Sequence, residues 1–399
     1  MEFDITNLPE EMREKIYSYC RVRDLLNLAC CSRIHYECVV GTLWQHVRIP
    51  WSHIADNQHL QSKQLDHLHF TSQVVFCCDV NDHIPPMQEN TNEKNIQLME
   101  NYKLILENCN PDRLEKLYFN WSTLYPYMMQ LVCKTFSKTL TEITFRYLNS
   151  VDQFWKSLSS LSGLRKLTIE DCTFQDTEIH HLSKMNSLRD LQLIWNLGLP
   201  VDGIEQISKL HGLQRVSLNG NDLDFMNTCA FKHLGDLSNI THLSLEFSTI
   251  DDNILVSLCD KLTHLENLSI AGCKTITNTS IQNLSTLSLP LKSLNFSHTY
   301  ITDTALADIH RLRKLQKLYM RNTTITDTGT SYLQGSTALM LIDLSYTLIT
   351  YKTLVHLEKL TALRFLSINA TNITKMEIAK FKQLPTFTSL EVTGPQSLI

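Results

Sequence analysis

Sulfur and imidazole are the groups with chemistry to offer in this chain, which carries 12 Cys and 16 His among 399 residues. A tetrahedral metal site takes cysteines in short spaced pairs, so that two thiolates can reach one ion. No C-x-x-C pair occurs here, and Cys30–Cys31 and Cys77–Cys78 are adjacent instead. Metal is therefore not expected, and Cys172 and Cys273 are expected as small buried packing groups. His180, His181 and His211 are expected on a solvated outer surface. The sequence has no G-x-x-x-x-G-K-[ST] or G-x-G-x-x-G phosphate loop, and no G-x-S-x-G turn to present a nucleophilic serine. No cofactor and no catalytic residue are expected, so the chain is not expected to be an enzyme.

Binding chemistry remains, and charge narrows its kind. The formal net charge is −5, with Lys and Arg scattered along the chain. That is not the basic stripe of a nucleic-acid binder. The start, MEFDITNLPEE, is acidic and lacks the apolar stretch of a secretory signal, and no apolar run approaches the ~20 residues of a membrane span. Cysteines in such a chain are expected to stay reduced. The expectation is an intracellular protein of cytoplasm and/or nucleus, with neither nucleic acid nor membrane among its partners. Hydrophobic residues make up 43%, against only 11 Gly and 10 Pro, which suits a chain folded for most of its length.

Any binding residues must be positioned by a repeat. Segments of the L-x-x-L-x-L type begin at Leu140, Leu164, Leu188, Leu213, Ile240, Leu265, Leu291, Leu315, Leu339, Leu363 and Phe387, 24 to 27 residues apart. The period lies within the roughly 20–29 residues of leucine-rich repeats. In the unit led by Leu315, Leu318 and Met320 alternate with polar neighbours as in a half-buried strand. Thr323 is a small polar side chain able to hydrogen-bond the turning backbone, and Ile325 re-enters the core. Thr326 or Asp327 then caps a helix over Gly329 to Gln334. One period thus encodes strand, turn, helix and return. The expected fold is α/β: a leucine-rich-repeat solenoid, or horseshoe, with a parallel concave sheet, helices on the convex side and a small all-helical unit in front. Eleven strands ~4.8 Å apart make a face on the order of 50 Å long, expected as a surface and not a pocket.

Repeats before residue 114 are less regular. Leu114, Leu117 and Phe119 fit a further unit, and Leu65, Leu68 and Phe70 suggest another. The polar segment 79–95, with Pro85 and Pro86, is expected as a mobile insertion. The domains expected are 1–50, helical; 51–113, degenerate first repeats; and 114–399, the regular repeats.

Alternation puts side chains such as Asp190, Gln192, Arg215, Ser217, His242 and Glu246 on the displayed face. Among the displayed residues, Tyr319, Arg321, Leu341 and Phe365 combine aromatic, aliphatic and cationic groups, the composition of interface hot spots. They are the expected binding patch for a protein substrate, with Trp195, just past its strand, as a second candidate.

The first fifty residues do not fit the repeat. Asn7-Leu8-Pro9 with Glu10 and Glu11 starts a helix whose apolar side carries Ile16 and Tyr17. Asp24 caps a second helix with Leu25, Leu28 and Cys31 at helical spacing, and Leu43 and Trp44 close a compact unit of about 40 residues, too small to bury much core alone. In order and spacing, Leu8-Pro9, Ile16, Arg23 to Leu28, Cys31 and Trp44 resemble the F-box motif, with Ile34 where that family usually has Trp. The repeats likewise look like those of F-box leucine-rich-repeat proteins. The resemblance implies a substrate-recognition subunit of an SCF ubiquitin ligase. Leu8, Pro9, Ile16, Leu25, Leu28, Cys31 and Trp44 would then dock on the adaptor subunit of a cullin scaffold, while the solenoid holds the protein to be ubiquitinated. The alternative is a ligase-independent interaction scaffold or inhibitor, whose helical unit merely caps the apolar end of the solenoid.

Overall fold

The structure, a computed structural model, describes residues 46–50, 68, 71, 73–77, 103–120, 126–147, 154–174, 179–199, 202–221, 225–384 and 390–393. The chain forms two compact units, residues 1–187 and 188–399. The leucine-rich-repeat architecture expected from the period is present in each.

In the first unit five parallel strands pair in chain order: β1 (His46–Pro50), β2 (Gln73–Cys77), β3 (Lys116–Asn120), β4 (Glu142–Arg146) and β5 (Lys166–Glu170). Helices α1 (Pro126–Phe136) and α2 (Phe154–Leu158) carry the chain back between strands. The core here is aromatic. Phe119 stacks on Phe145 at 5.5 Å, Phe145 meets the Phe154 ring edge-on at 5.2 Å, and Trp155 stacks on Phe174 at 5.1 Å. Burying such rings is among the larger stabilising contributions a small unit can gather.

The second unit continues with β6 (Asp190–Ile194), β7 (Arg215–Ser217), β8 (His242–Ser244), β9 (Asn267–Ser269), β10 (Ser293–Asn295), β11 (Lys317–Tyr319), β12 (Leu341–Asp343), β13 (Phe365–Ser367) and β14 (Glu391–Thr393), again parallel and in order. Its helices are short: α3 (Gly203–Ser208), α4 (Asp252–Lys261), α5 (Asn278–Thr286), α6 (Asp327–Ser331), α7 (Tyr351–Leu357) and α8 (Lys375–Lys382). Leu318, Met320 and Ile325 are fully buried, and Thr323 Oγ1 donates to the Met320 carbonyl at 2.7 Å, as their places in the repeat require. Each such Leu, Ile or Met side chain is worth about 1.5–3 kcal/mol when withdrawn from water. Cys172 and Cys273 are buried at the post-strand turn of their own repeats, and the Cys273 thiol reaches the Leu245 carbonyl at 3.0 Å.

Adjacent repeats are stitched by the Thr-Asp phrase that opens their helices. Asp252 accepts from the backbone N–H and hydroxyl of Thr277 in the next repeat, and from the Ser280 hydroxyl. Asp303 does the same for Thr326 and Asp327 for both Thr350 and Thr353, while Asn278 accepts from the Thr302 N–H through Oδ1 and donates to the Thr302 hydroxyl through Nδ2. The run stops at Tyr351, which stands where the acid would be; Thr374 is served instead by Glu377 of its own helix, in a capping box.

Several expectations shift. The strand of the second repeat is Gln73–Cys77, with Val74 opposite Leu117, and not the Leu65–Phe70 phrase. Leu68 is buried in a 3₁₀ turn that bonds Thr71, whose buried side chain occupies the place of the repeat's leading leucine. His46–Pro50, inside the span expected to be helical, is strand β1. The last strand does not follow from a lead at Phe387, because Val392 stands opposite Leu366, 26 residues on. A shift of two keeps the same side chains inward, so Leu390 is still buried. The helix expected over Gly329 to Gln334 begins earlier, at Asp327, behind an N-cap at Thr326. The insertion at 79–95 and the F-box-like residues Leu8, Pro9, Ile16, Leu25, Leu28, Cys31 and Trp44 lie outside the described residues.

Candidate functional site

The displayed strand face of the second unit is organised in rungs. One rung runs Asp190, Arg215, His242, Asn267, Ser293, Lys317, Leu341, Phe365; the next runs Gln192, Ser217, Ser244, Ser269, Asn295, Tyr319, Asp343, Ser367. Three consecutive serines between Gln192 and Tyr319 leave the middle of the face short of side-chain volume. A cleft of about 460 Å³ opens there, lined from Asp190 on β6 to Tyr319 on β11. The expectation of an unindented surface is corrected at this point, and the reason is residue size along one rung.

The cleft is lined mostly by polar residues over an apolar floor that includes Val216, Leu243 and Leu268, and its polar groups largely bond one another. Ser244 donates to Asn219 Oδ1 at 2.8 Å, and Ser269 donates to Glu246. Arg215 stands 3.9 Å from Asp190, which also accepts from Gln192. Asn267 Nδ2 donates to His242 Nε2, and Thr241 Oγ1 lies 2.8 Å from His242 Nδ1. Because Nε2 accepts, the proton of the neutral ring sits on Nδ1. Burial, then the Arg215 guanidinium, pushes His242 below the ordinary histidine value. Glu246 is half-buried and has no basic partner among the described residues. The arrangement can hold polar and charged groups of a ligand.

Of the residues singled out in the sequence, Leu341 and Phe365 face each other across β12 and β13, and Phe365 is exposed. Tyr319 lines the far end of the cleft, beside Asn295 and Asp343. Arg321 lies past its strand and stacks over Tyr346 at 4.4 Å. Tyr346 was not singled out by alternation, because it stands beyond the strand in a left-handed conformation, φ 58°. Trp195 holds the same place just past β6, the strand that lines one end of the cleft, at φ 54°.

That left-handed position recurs in every regular repeat, at Tyr147 and Asp171 in the first unit and at Trp195, Gly220, Phe247, Gly272, His298, Asn322, Tyr346 and Ala370 in the second. In each of these repeats of the second unit up to Tyr346 its N–H extends the strand ladder, as Trp195 does to Asn219 and Phe247 to Ala271. Gly220, Gly272 and Asn322, with Asp171 and His298, hint at it in sequence, since these types tolerate φ > 0 better than others.

Among the described residues no helix is long and apolar enough to cross a membrane. The F-box-like family profile matches residues 5–50. No curated protein matches the chain at a significant level. Among solved structures the chain is similar to an internalin (inlF) of Listeria monocytogenes, with 16% identity, a TM-score of 0.49, and coverage of 84% of this chain and 89% of that one. The chain thus joins an F-box-like segment to leucine-rich repeats whose second unit carries a polar cleft.

Proposed function

We propose that the chain is the substrate-recognition adaptor of an SCF-type ubiquitin ligase. The F-box-like segment docks on the adaptor subunit of a cullin scaffold, and the strand face of the repeats holds the protein to be ubiquitinated. The chain supplies recognition, and other subunits supply the chemistry. The observation that carries this reading is the F-box-like match at residues 5–50 ahead of a repeat face with an open cleft. F-box domains generally bind adaptors of the Skp1 type. The test is co-purification of that adaptor with the wild-type chain and with Leu8→Ala/Pro9→Ala. Recovery is expected to fall at least tenfold in the double variant; equal recovery from both refutes docking.

One observation favours the second reading, a scaffold whose helical unit is only a cap: the last five residues of the F-box-like match are β1, hydrogen-bonded to β2. A cap buries the Leu8, Ile16 and Trp44 faces against the first repeats, whereas a docking module leaves them open. Under the cap reading the double variant lowers the melting temperature and no adaptor is captured by either chain.

A further inference from the structure

The left-handed row along the edge of the cleft carries two residues that its geometry disfavours. Trp195 at φ 54° and Phe247 at φ 57° hold bulky rings where Gly220 and Gly272 hold none. An L residue there is strained by about 1–2 kcal/mol, a cost glycine avoids. The glycines serve the rings. A Cβ on Gly220 would lie 2.2 Å from the Trp195 ring, and one on Gly272 would lie 2.4 Å from Phe247, so each ring rests flat on the glycine of the following repeat. The two rings are 5.2 Å apart, and 46% of Trp195 and 47% of Phe247 stay open to solvent. The strained position itself belongs to the repeat; what is particular to this pair is that two large rings stand together, half open to solvent, beside the cleft.

The residue before each left-handed position lines the cleft: Ile194, Asn219 and Glu246. Glu246 is therefore the immediate neighbour of Phe247, and its carbonyl accepts from the Gly220 N–H beneath the Trp195 ring. Its carboxylate accepts a hydrogen bond from Ser269 and has no ion-pair partner among the described residues. Flat π faces beside an uncompensated, half-buried carboxylate complement a planar cation. A guanidinium can stack on the rings and bond the carboxylate at once.

We propose that Trp195, Phe247 and Glu246 form a receptor for an arginine side chain of the bound protein. The proposal rests on the reading that this face holds a protein, and it names the chemistry of that protein's anchor. Elsewhere in the lining Asp190 and Arg215 oppose each other at 3.9 Å, which leaves Glu246 as the carboxylate with no basic partner among the described residues and favours a cation there over an anion.

The test is saturation-transfer NMR on Nα-acetyl-arginine amide with the full chain, and with its neutral isostere Nα-acetyl-citrulline amide. Saturable transfer is expected to arginine and not to citrulline. It should weaken about tenfold in Glu246→Gln and vanish in Trp195→Gly. The glycine variant relieves the backbone strain, so its fold is kept, which matched thermal melts check. Equal transfer to both ligands, or undiminished transfer with Glu246→Gln, overturns the proposal. Neither adaptor nor ubiquitin is present in this measurement, so its failure removes the arginine receptor alone. The Leu8→Ala/Pro9→Ala capture bears on recruitment alone.

Discussion

Replacing Asp327 by alanine removes the acceptor that ties the α6 repeat to the α7 repeat. Its two oxygens receive four hydrogen bonds, from Thr350 N at 2.8 Å, Thr350 Oγ1 at 2.6 Å, Thr353 N at 3.2 Å and Thr353 Oγ1 at 2.6 Å. At about 1 kcal/mol net apiece the sum is near 4; water replaces part of it at a half-exposed site, which leaves a loss of about 2–3 kcal/mol. In a unit of this length that is roughly 5–10 °C of melting temperature, followed by far-UV circular dichroism. Asp327→Asn should lose about half as much, because Asn278 holds Thr302 through its amide, with Oδ1 accepting and Nδ2 donating. The acid also predicts a pH dependence. Burial raises the Asp327 pKa, but the hydrogen bonds from Thr350 and Thr353 outweigh it and hold the carboxyl below its ordinary value of 3.8. The unfolded chain therefore binds this proton more readily than the folded one. The stabilisation is complete above the unfolded value and is lost as pH falls through the folded value. The gap between wild type and Asp327→Asn should be constant above about pH 5 and shrink below about pH 4. A variant that melts with the wild type at pH 7, or a gap unchanged at pH 3, refutes the stitching argument.

Gly220→Ala should cost about 2 kcal/mol, from a methyl group at φ 61° and from its collision with the Trp195 ring. In a Trp195→Gly background only the backbone part should remain, so additive losses in denaturant titrations would show that the ring does not rest there. His242 should titrate below the ordinary histidine value by ¹H–¹⁵N NMR, with the neutral Nδ1–H tautomer at pH 7. Since the unfolded ring protonates first, His242 contributes a loss of stability as pH falls below about 6.5, and His242→Gln should flatten that part of the profile. Titration at or above the ordinary value contradicts the geometry of Asn267 and the nearby Arg215, whatever the opposing pull of Asp190 and Glu266.

The period carried most of the fold because each unit spends its large aliphatic residues on positions that burial alone dictates. Leu315, Leu318, Met320 and Ile325 name one repeat, and their equivalents name the others. The pattern misled at Leu68, which lies in a 3₁₀ turn, and where Thr71 takes the leading leucine's place. Inter-repeat bonds were only half visible: the Thr-Asp phrase announces a helix cap, while the partner of the acid lies one period away. The cleft was legible in its residues and not in its depth, which comes from Ser217, Ser244 and Ser269 falling on one rung. Trp195 stood out as an aromatic past a strand. Its pairing with Phe247 did not, since it depends on the glycine between them and on a backbone conformation that ten different repeats reach with eight residue types.

The tyrosine that replaces an acid at position 351 has a mechanical meaning. From Asp252 to Asp327 each turn of the coil grips the one after it, so pulling any of these turns loose also breaks a bond in its neighbour. Beyond Tyr351 that grip is missing, and α8 closes on its own Glu377. Unravelling under force or in mild denaturant should begin like a hem at its unsewn end, with the α8 turn lifting away while the turns before it stay fastened. Amide exchange would then be quickest in the final turns and fall sharply at Thr350.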